Sequence, residues 1–238
     1  MVDIHCHILP EVDDGARTWE AAVEMCRIAQ TDGIDHVVAT PHANAKYGYD
    51  RAAHEERLSR LRKLVAGALQ FSLGCDFHMS FENIQDALQN PSRYAIGNTQ
   101  YLLVEFSDFS LPPTASQLLF ELMGVGLIPI ITHPERNPLL QRKPELVVKW
   151  ARMGALIQVT ANSLTGRWGK TAGKMVEYLA KHGAIHVIAS DAHDVRHRPP
   201  ILSEGRAAIF RLMGKAAAQA LVEDNPRAIV AGEPLPYC

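Results

Sequence analysis

Seven short apolar runs punctuate the chain: "VDIHCHI" (2–8), "HVVAT" (36–40), "LQFSLGC" (69–75), "YLLVEF" (101–106), "LIPIIT" (127–132), "ALIQVT" (155–160) and "IHVIAS" (185–190). They are rich in Val, Ile and Leu, as strands covered on both faces are. Between most of them the hydrophobic period lengthens to that of a helix. The stretch 50–66 starts at Asp50, puts Leu58, Leu61 and Val65 on one face and stops at Gly67, which is an N-cap, an apolar stripe and a terminating glycine in order. Pro113 opens a helix carrying Leu118, Leu119, Leu122 and Met123 that ends at Gly124, and Met175, Val176 and Leu179 line another that ends at Gly183. The final residues read as packing helices, with "DNPRAIV" as a cap and short turn.

Strand alternating with helix predicts parallel strands with right-handed crossovers, in an open sheet or a closed barrel. The polar residues decide between the two. "PHAN" follows the second run and Asp76 the third, Glu105 lies near the end of the fourth, "HPER" follows the fifth and "DAHD" the seventh, while His5 and His7 lie late in the first. An open sheet gathers its site at one switch point, beyond the reach of its outer strands. A barrel brings every strand end to one rim. The expected fold is therefore α/β, a distorted TIM-like (β/α)7 barrel in a single domain spanning 1–238.

Composition changes this picture little. The 238 residues are 47% hydrophobic and 21% charged, an ordinary globular balance, and a net charge of -2 offers no basic surface for a phosphate backbone. Nucleic acid is not an expected partner. Cys6, Cys26, Cys75 and Cys238 form no C-x-x-C pair, so neither a disulfide framework nor a zinc ribbon is expected. With Asp3 and His5 where a signal peptide would be basic then apolar, and with no run near ~18 apolar residues, the expectation is a cytoplasmic chain without membrane insertion.

On a strand, residues i and i+2 share a side, so His5 and His7 can hold one ion while Cys6 faces away. Asp13 and Asp14 precede Gly15. For Asp13 the expectation is a turn with an N-cap for the helix beginning near Thr18, whereas Asp14 can fold back over the rim. His42, Asp76, Glu105, His133, Asp191 and His193 add donors from further strands. A Glu inside an apolar strand is costly to bury without a partner, so Glu105 in particular calls for one.

These segments, "DIHCHILPEVDDGA", "ATPH", "LVEF", "THPER" and "SDAH" followed by "RPP", resemble the PHP (polymerase and histidinol phosphatase) superfamily. Within it, the start of the chain and "HPER" are similar to the manganese-dependent tyrosine phosphatases of bacterial capsule and exopolysaccharide loci. The resemblance implies a (β/α)7 barrel with three adjacent metal ions at the strand ends. His5, His7, Asp76 and Asp191 would hold the first ion, Asp76 would bridge to a second held by Glu105 and His133, and Asp14, His42 and His193 would hold the third. The ions would be Mn2+, with Fe or Zn also suited to imidazole and carboxylate donors. The substrate implied is a phosphotyrosine protein, a bacterial tyrosine kinase that controls polysaccharide export. Arg136 and Arg198 resemble the family's phosphate-binding arginines. At the bridging position the family usually has Glu, and here Asp76 is one methylene shorter.

Other phosphate chemistries fit less well. "GRWGKT" would be a P-loop only with Gly where Leu164 stands. Six residues after Cys6, Cys26 and Cys75 come Val12, Asp32 and Phe81, and nothing follows Cys238, so no C-x5-R thiol loop exists. The remaining alternatives are a small-molecule phosphatase of the histidinol-phosphate type and a non-catalytic metal-stabilised binding module. Asp194, Arg196 and His197 lie on the loop after the last strand and are expected to tune the choice of leaving group.

Overall fold

The computed structural model describes residues 1–65, 67 and 69–237. Cys238 and the last residue of the expected 50–66 helix lie outside the described residues. The strands are β1 (Val2–Cys6), β2 (His36–Ala39), β3 (His42–Ala43), β4 (Gln70–Leu73), β5 (Asp76–His78), β6 (Tyr101–Glu105), β7 (Ile128–Thr132), β8 (Leu156–Thr160) and β9 (Val187–Ala189). The helices are α1 (Trp19–Thr31), α2 (Arg51–Leu64), α3 (Phe81–Gln89), α4 (Ala115–Gly124), α5 (Pro144–Arg152), α6 (Ala161–Leu164), α7 (Gly169–Lys181), α8 (Ser203–Met213), α9 (Lys215–Gln219) and α10 (Asn225–Ala231).

All seven expected runs are strands, and every pairing between them is parallel. The second and third strands extend past their apolar runs and are each broken in two, β2 with β3 and β4 with β5. Pro41 has no N–H to continue β2, and Gly74 and Cys75 interrupt the next run, so one sheet has the order β1-β2-β4 and the other β3-β5-β6-β7-β8-β9. Backbone bonds from Gly74 N to Ala39 O (2.8 Å) and from Asp76 N to Pro41 O (3.1 Å) keep the halves together. The ring closes where Asp191 N donates to His5 O (2.9 Å) and His7 N to Ala192 O (2.9 Å). The result is the distorted TIM-like barrel that the alternation of elements predicts.

Val2, Ile4, Val38, Leu103, Ile130, Leu156, Val187 and Ala189 form an inner apolar cluster that Ile229 of α10 joins. A larger outer cluster packs the helices onto the strands, with Met25, Leu58, Leu119, Trp150 and Leu179 among its members. In β1 the alternation changes phase, because Val2 and Ile4 belong to the inner cluster but Cys6 to the outer one. The pairing with β2 shifts register between Asp3 and Cys6, so an irregularity of the β-bulge kind re-aims His5.

Helix ends follow local chemistry. Asp50 caps α2 by accepting from Ala53 N, and the helix stops at Val65. Thr18, not Asp13, caps α1, with its hydroxyl accepting from Ala21 N at 3.2 Å. The helix after Pro113 begins at Ala115, and "NPRAIV" opens the seven-residue α10, which follows a π-helical turn ending at Asp224 and has no side-chain cap from that residue. Proline at the second helical position suits that longer helix better than a short turn. Among the described residues no helix is long and apolar enough to cross a membrane.

Candidate active site

The strand ends converge on a small cavity of about 140 Å³ lined by Asp14, His42, Asp76, Glu105, His133, Arg136, Asp191, His193 and Arg198. His5 and His7 form its buried floor, with their Nε2 atoms 3.2 Å apart. All nine expected donors and both expected arginines meet here. Donor atoms lie within 4.8 Å of one another in four groups: His7 with Asp14, His42 and His193; His5 with His7 and Asp76; His5 with His133 and Asp191; and His42 with Asp76 and Glu105. Glu105 thus sits with His42 and Asp76, while its Oε1 lies 3.7 Å from His133 Nε2.

Neighbouring groups set the direction of each imidazole. His5 Nδ1 donates to Gln158 Oε1 (2.9 Å), His7 Nδ1 to Asp13 Oδ2 (2.8 Å) and His193 Nδ1 to the Asp191 carbonyl (3.0 Å). Each bond leaves Nε2 for the cavity, as ligating histidines are usually held. Asp13 therefore does more than make a turn: Oδ1 accepts from Gly15 N (2.9 Å), and Oδ2 also accepts from His42 N (3.1 Å). Gly15 is required by packing, since a Cβ there would lie 2.1 Å from His7 O and 2.5 Å from His7 Cβ.

Backbone strain falls on two of the donors. His133 and Asp191 have φ of 32° and 51°, left-handed values that non-glycine residues seldom take and that surrounding structure must enforce. The buried Asp3 accepts from Ser190 N (3.0 Å) and Ser190 Oγ (2.5 Å) and so fixes the approach to Asp191. Burial pushes Asp3 up to about 6 despite those bonds. In the next loop, Glu135 Oε1 accepts from Thr160 N (2.9 Å) and Ser163 Oγ (2.7 Å), tying "HPER" to the end of β8. Composition and periodicity give no hint of Gln158, Asp3 or Glu135. The argument applied to Glu105, a polar side chain inside an apolar run, also marks Asp3 and Gln158.

Charge is balanced locally and tightly. Burial opposes a proton on His5, but Asp76 and Asp191 outweigh it and push the imidazole up to about 9. His42 overcomes the same burial cost through Asp14 and Asp76 and rises to about 11. Burial and the Asp76 carboxylate push Glu105 up to about 8. Burial moves two further site histidines down, His133 well below its ordinary value beside Arg136 and His193 to about 3 beside His7. Arg136 and Arg198 both donate to Asp191 Oδ2, and Arg136 also stacks on Trp168, its guanidinium carbon 3.8 Å from the ring centroid.

The donor set fits divalent ions. The buried Asp76 carboxylate makes no well-aligned hydrogen bond among the described residues. Its Oδ2 is met only by imidazoles, His42 Nδ1 at 3.1 Å and His5 Nε2 at 3.5 Å, an arrangement that leaves buried carboxylate lone pairs for a cation. Asp194 acts on the backbone, its Oδ1 accepting from Arg196 N (2.6 Å), His197 N (2.5 Å) and Arg198 N (3.3 Å), and this turn directs Arg198 inward. Arg196 and His197 are exposed and line a separate cleft of about 410 Å³ beside Asp14 and His193.

A parallel barrel whose rim gathers histidines and carboxylates at metal-ligand spacing defines the class, a TIM-like fold with a metal-ready site. The chain matches the family described as capsular polysaccharide synthesis, CpsB/CapC, over residues 1–231, and it belongs to that family. Tyrosine-protein phosphatase YwqE of Bacillus subtilis (strain 168) is 38% identical over 202 residues, 83% of this chain and 79% of that protein. A chain from the crystal structures of YwqE from Bacillus subtilis and CpsB from Streptococcus pneumoniae, described as unique metal-dependent tyrosine phosphatases, superposes with a TM-score of 0.93. It is 32% identical, with 100% of this chain and 97% of that one covered. The fold alone extends to a β-aspartyl dipeptidase from Fervidobacterium islandicum AW-1, with a TM-score of 0.58 at 12% identity and 96% and 74% of the two chains covered.

Proposed function

We propose that this chain is a metal-dependent protein-tyrosine phosphatase working as one domain over 1–238. The carrying observation is the joining of nine metal donors and two guanidinium groups around a cavity of about 140 Å³ that suits a phosphoryl group. The names of its relatives supply the substrate class. In this reading His5, His7, Asp76 and Asp191 would hold one ion, Asp76 with Glu105 and His133 a second, and Asp14, His42 and His193 a third. Mn2+ is the ion proposed, with Fe or Zn as chemically suited substitutes.

Bound there, divalent ions supply a water of lowered pKa and positive charge for phosphoryl oxygens. The chain's own residues do the rest. Gln158 and Asp13 hold His5 and His7 in the tautomer that presents Nε2. Arg136 and Arg198 converge on one carboxylate oxygen of Asp191, so their forks can turn to the non-bridging oxygens of a bound phosphate. A tyrosine leaving group has a pKa near ~10, which relaxes the demand for a strong general acid.

The physiological substrate in this reading is a bacterial tyrosine kinase that governs capsule or exopolysaccharide synthesis, and the chain acts on it in the cytoplasm. The test is kcat/KM of the manganese-loaded protein on a phosphotyrosine peptide, histidinol phosphate and simple alkyl phosphates. The phosphotyrosine peptide is expected to lead. Faster turnover of histidinol phosphate would make the chain a small-molecule phosphatase, and no turnover of any phosphate would make it a metal-stabilised binding module.

A further inference from the structure

The segment "GRWGKT" fails as a P-loop, yet the fold places it at the active-site rim. It follows β8 and the short α6, and β8 delivers no metal donor to the cavity. Gly166 and Gly169, with φ of 83° and 82°, bracket Arg167 and Trp168, and such left-handed turns favour glycine. The turn is fixed by bonds from Gly166 N to Ser163 O (3.3 Å), Arg167 N to Asn162 O (3.1 Å) and Gly169 N to Gly166 O (3.0 Å). Arg167 also pairs with Glu204 of α8 at 3.3 Å.

This rigid turn holds Trp168 over both arginines, its ring centroid 3.8 Å from the guanidinium carbon of Arg136 and 5.7 Å from that of Arg198. Trp168 is 38% exposed, so part of its ring surface stays open to a ligand while the arginines cover the rest. The cavity beneath is only about 140 Å³ and is lined by polar and charged side chains. A phosphoryl group fits there, while the aryl ring of a phosphotyrosine must lie outside, on the side where Trp168 stacks on the lining residue Arg136.

We infer that Trp168 is a specificity-determining residue that receives the aryl ring of the substrate while its indole stacks on the phosphate-binding arginines. The inference rests on the phosphatase reading above and adds the residue that favours aryl over alkyl phosphates. Aromatic rings that meet offset or edge to face gain about 0.5–1.5 kcal/mol beyond area burial, which corresponds to about 2- to 12-fold in affinity.

Binding of phenylphosphonate and methylphosphonate to the manganese-loaded protein, measured by calorimetry, tests this without turnover. The native protein should prefer the phenyl compound, Trp168→Ala should reduce that preference by about 3- to 10-fold, and Trp168→Phe should retain most of it. Methylphosphonate affinity should stay within about 2-fold in both variants if the ring contact is what Trp168 supplies. Unchanged preference in Trp168→Ala, or equal weakening of both ligands, overturns the inference, the second result assigning Trp168 to arginine positioning alone. Faster native turnover of alkyl than aryl phosphates would instead overturn the tyrosine-phosphatase reading itself, so the two failures are distinct.

Discussion

Asp13 Oδ2 lies 2.8 Å from His7 Nδ1 and also accepts from His42 N at 3.1 Å, so one carboxylate orients histidines from two different strands. The imidazoles lower its affinity for protons in return, and despite burial Asp13 is held down to about 2. Asp13→Ala should therefore free His7 to rotate and weaken metal binding by about 10- to 100-fold. Asp13→Asn keeps an acceptor oxygen and should lose less. Competitive metal titration checks both, and native affinity in Asp13→Ala would show that His7 needs no orienting partner.

The loop carrying Asp13 and Asp14 depends on Gly15. An added methyl would sit 2.1 Å from the His7 carbonyl, closer than any real contact, whereas nothing lies within 4 Å of a Cβ at Gly48. Gly15→Ala should displace this loop, lower metal affinity and cut kcat/KM by more than about 10-fold, because small misplacements at a reacting centre are expensive. Gly48→Ala should be near native in the same assays.

What was readable in the sequence follows from how each feature is encoded. The seven strands announce themselves because a buried parallel strand needs a continuous apolar run, and the nine donors do so because polar groups at the ends of such runs are conspicuous. The breaks in the second and third strands depend on register against neighbours, and so does the phase change in β1 that separates Ile4 from Cys6. Asp13 reads locally as a turn residue, and it is one. Its bond to His7 is local, six residues away, but the bond from His42 N exists only because the barrel brings the second strand beside the first. Glu135 and Trp168 owe their importance to partners about 25 or more residues away in sequence, Thr160 in one case and Arg136 in the other, beyond the reach of any local pattern.

Metal uptake should release protons. In the metal-free chain His5 and His42 sit at about 9 and about 11, and Glu105 at about 8, so near pH 7 all three hold a proton. Each must lose it to become a donor, so affinity should rise with pH from about 6 to about 8, and loading should release about two to three protons per chain. Calorimetry in buffers of different ionisation enthalpy counts them. A pH-independent affinity with no proton release would mean that these groups do not bind the ions.

Arg136 and Arg198 should matter most as charge shifts to the phosphoryl oxygens. Alanine at either position should lower kcat/KM by about 10- to 1000-fold, about 1.4–4 kcal/mol, with metal content unchanged. Lysine keeps the charge but loses the planar fork and should recover only part of the rate. Because both guanidinium groups reach the same Asp191 oxygen, the losses should fail to add in the double variant. Native kcat/KM in both alanine variants would show that phosphate is held without them.

The most direct measurement is phosphate release from a phosphotyrosine peptide by one preparation in three states: stripped with a chelator, reloaded with manganese, and reloaded after iodoacetamide treatment. The described thiols are all buried, and burial pushes Cys26 up to about 12 and Cys6 and Cys75 well above their ordinary values, so none is a ready nucleophile. Activity should vanish on stripping, return on reloading and survive alkylation. Full turnover by the stripped protein, or complete inactivation by iodoacetamide with the metals still bound, would contradict a metal-dependent phosphatase that uses no thiol.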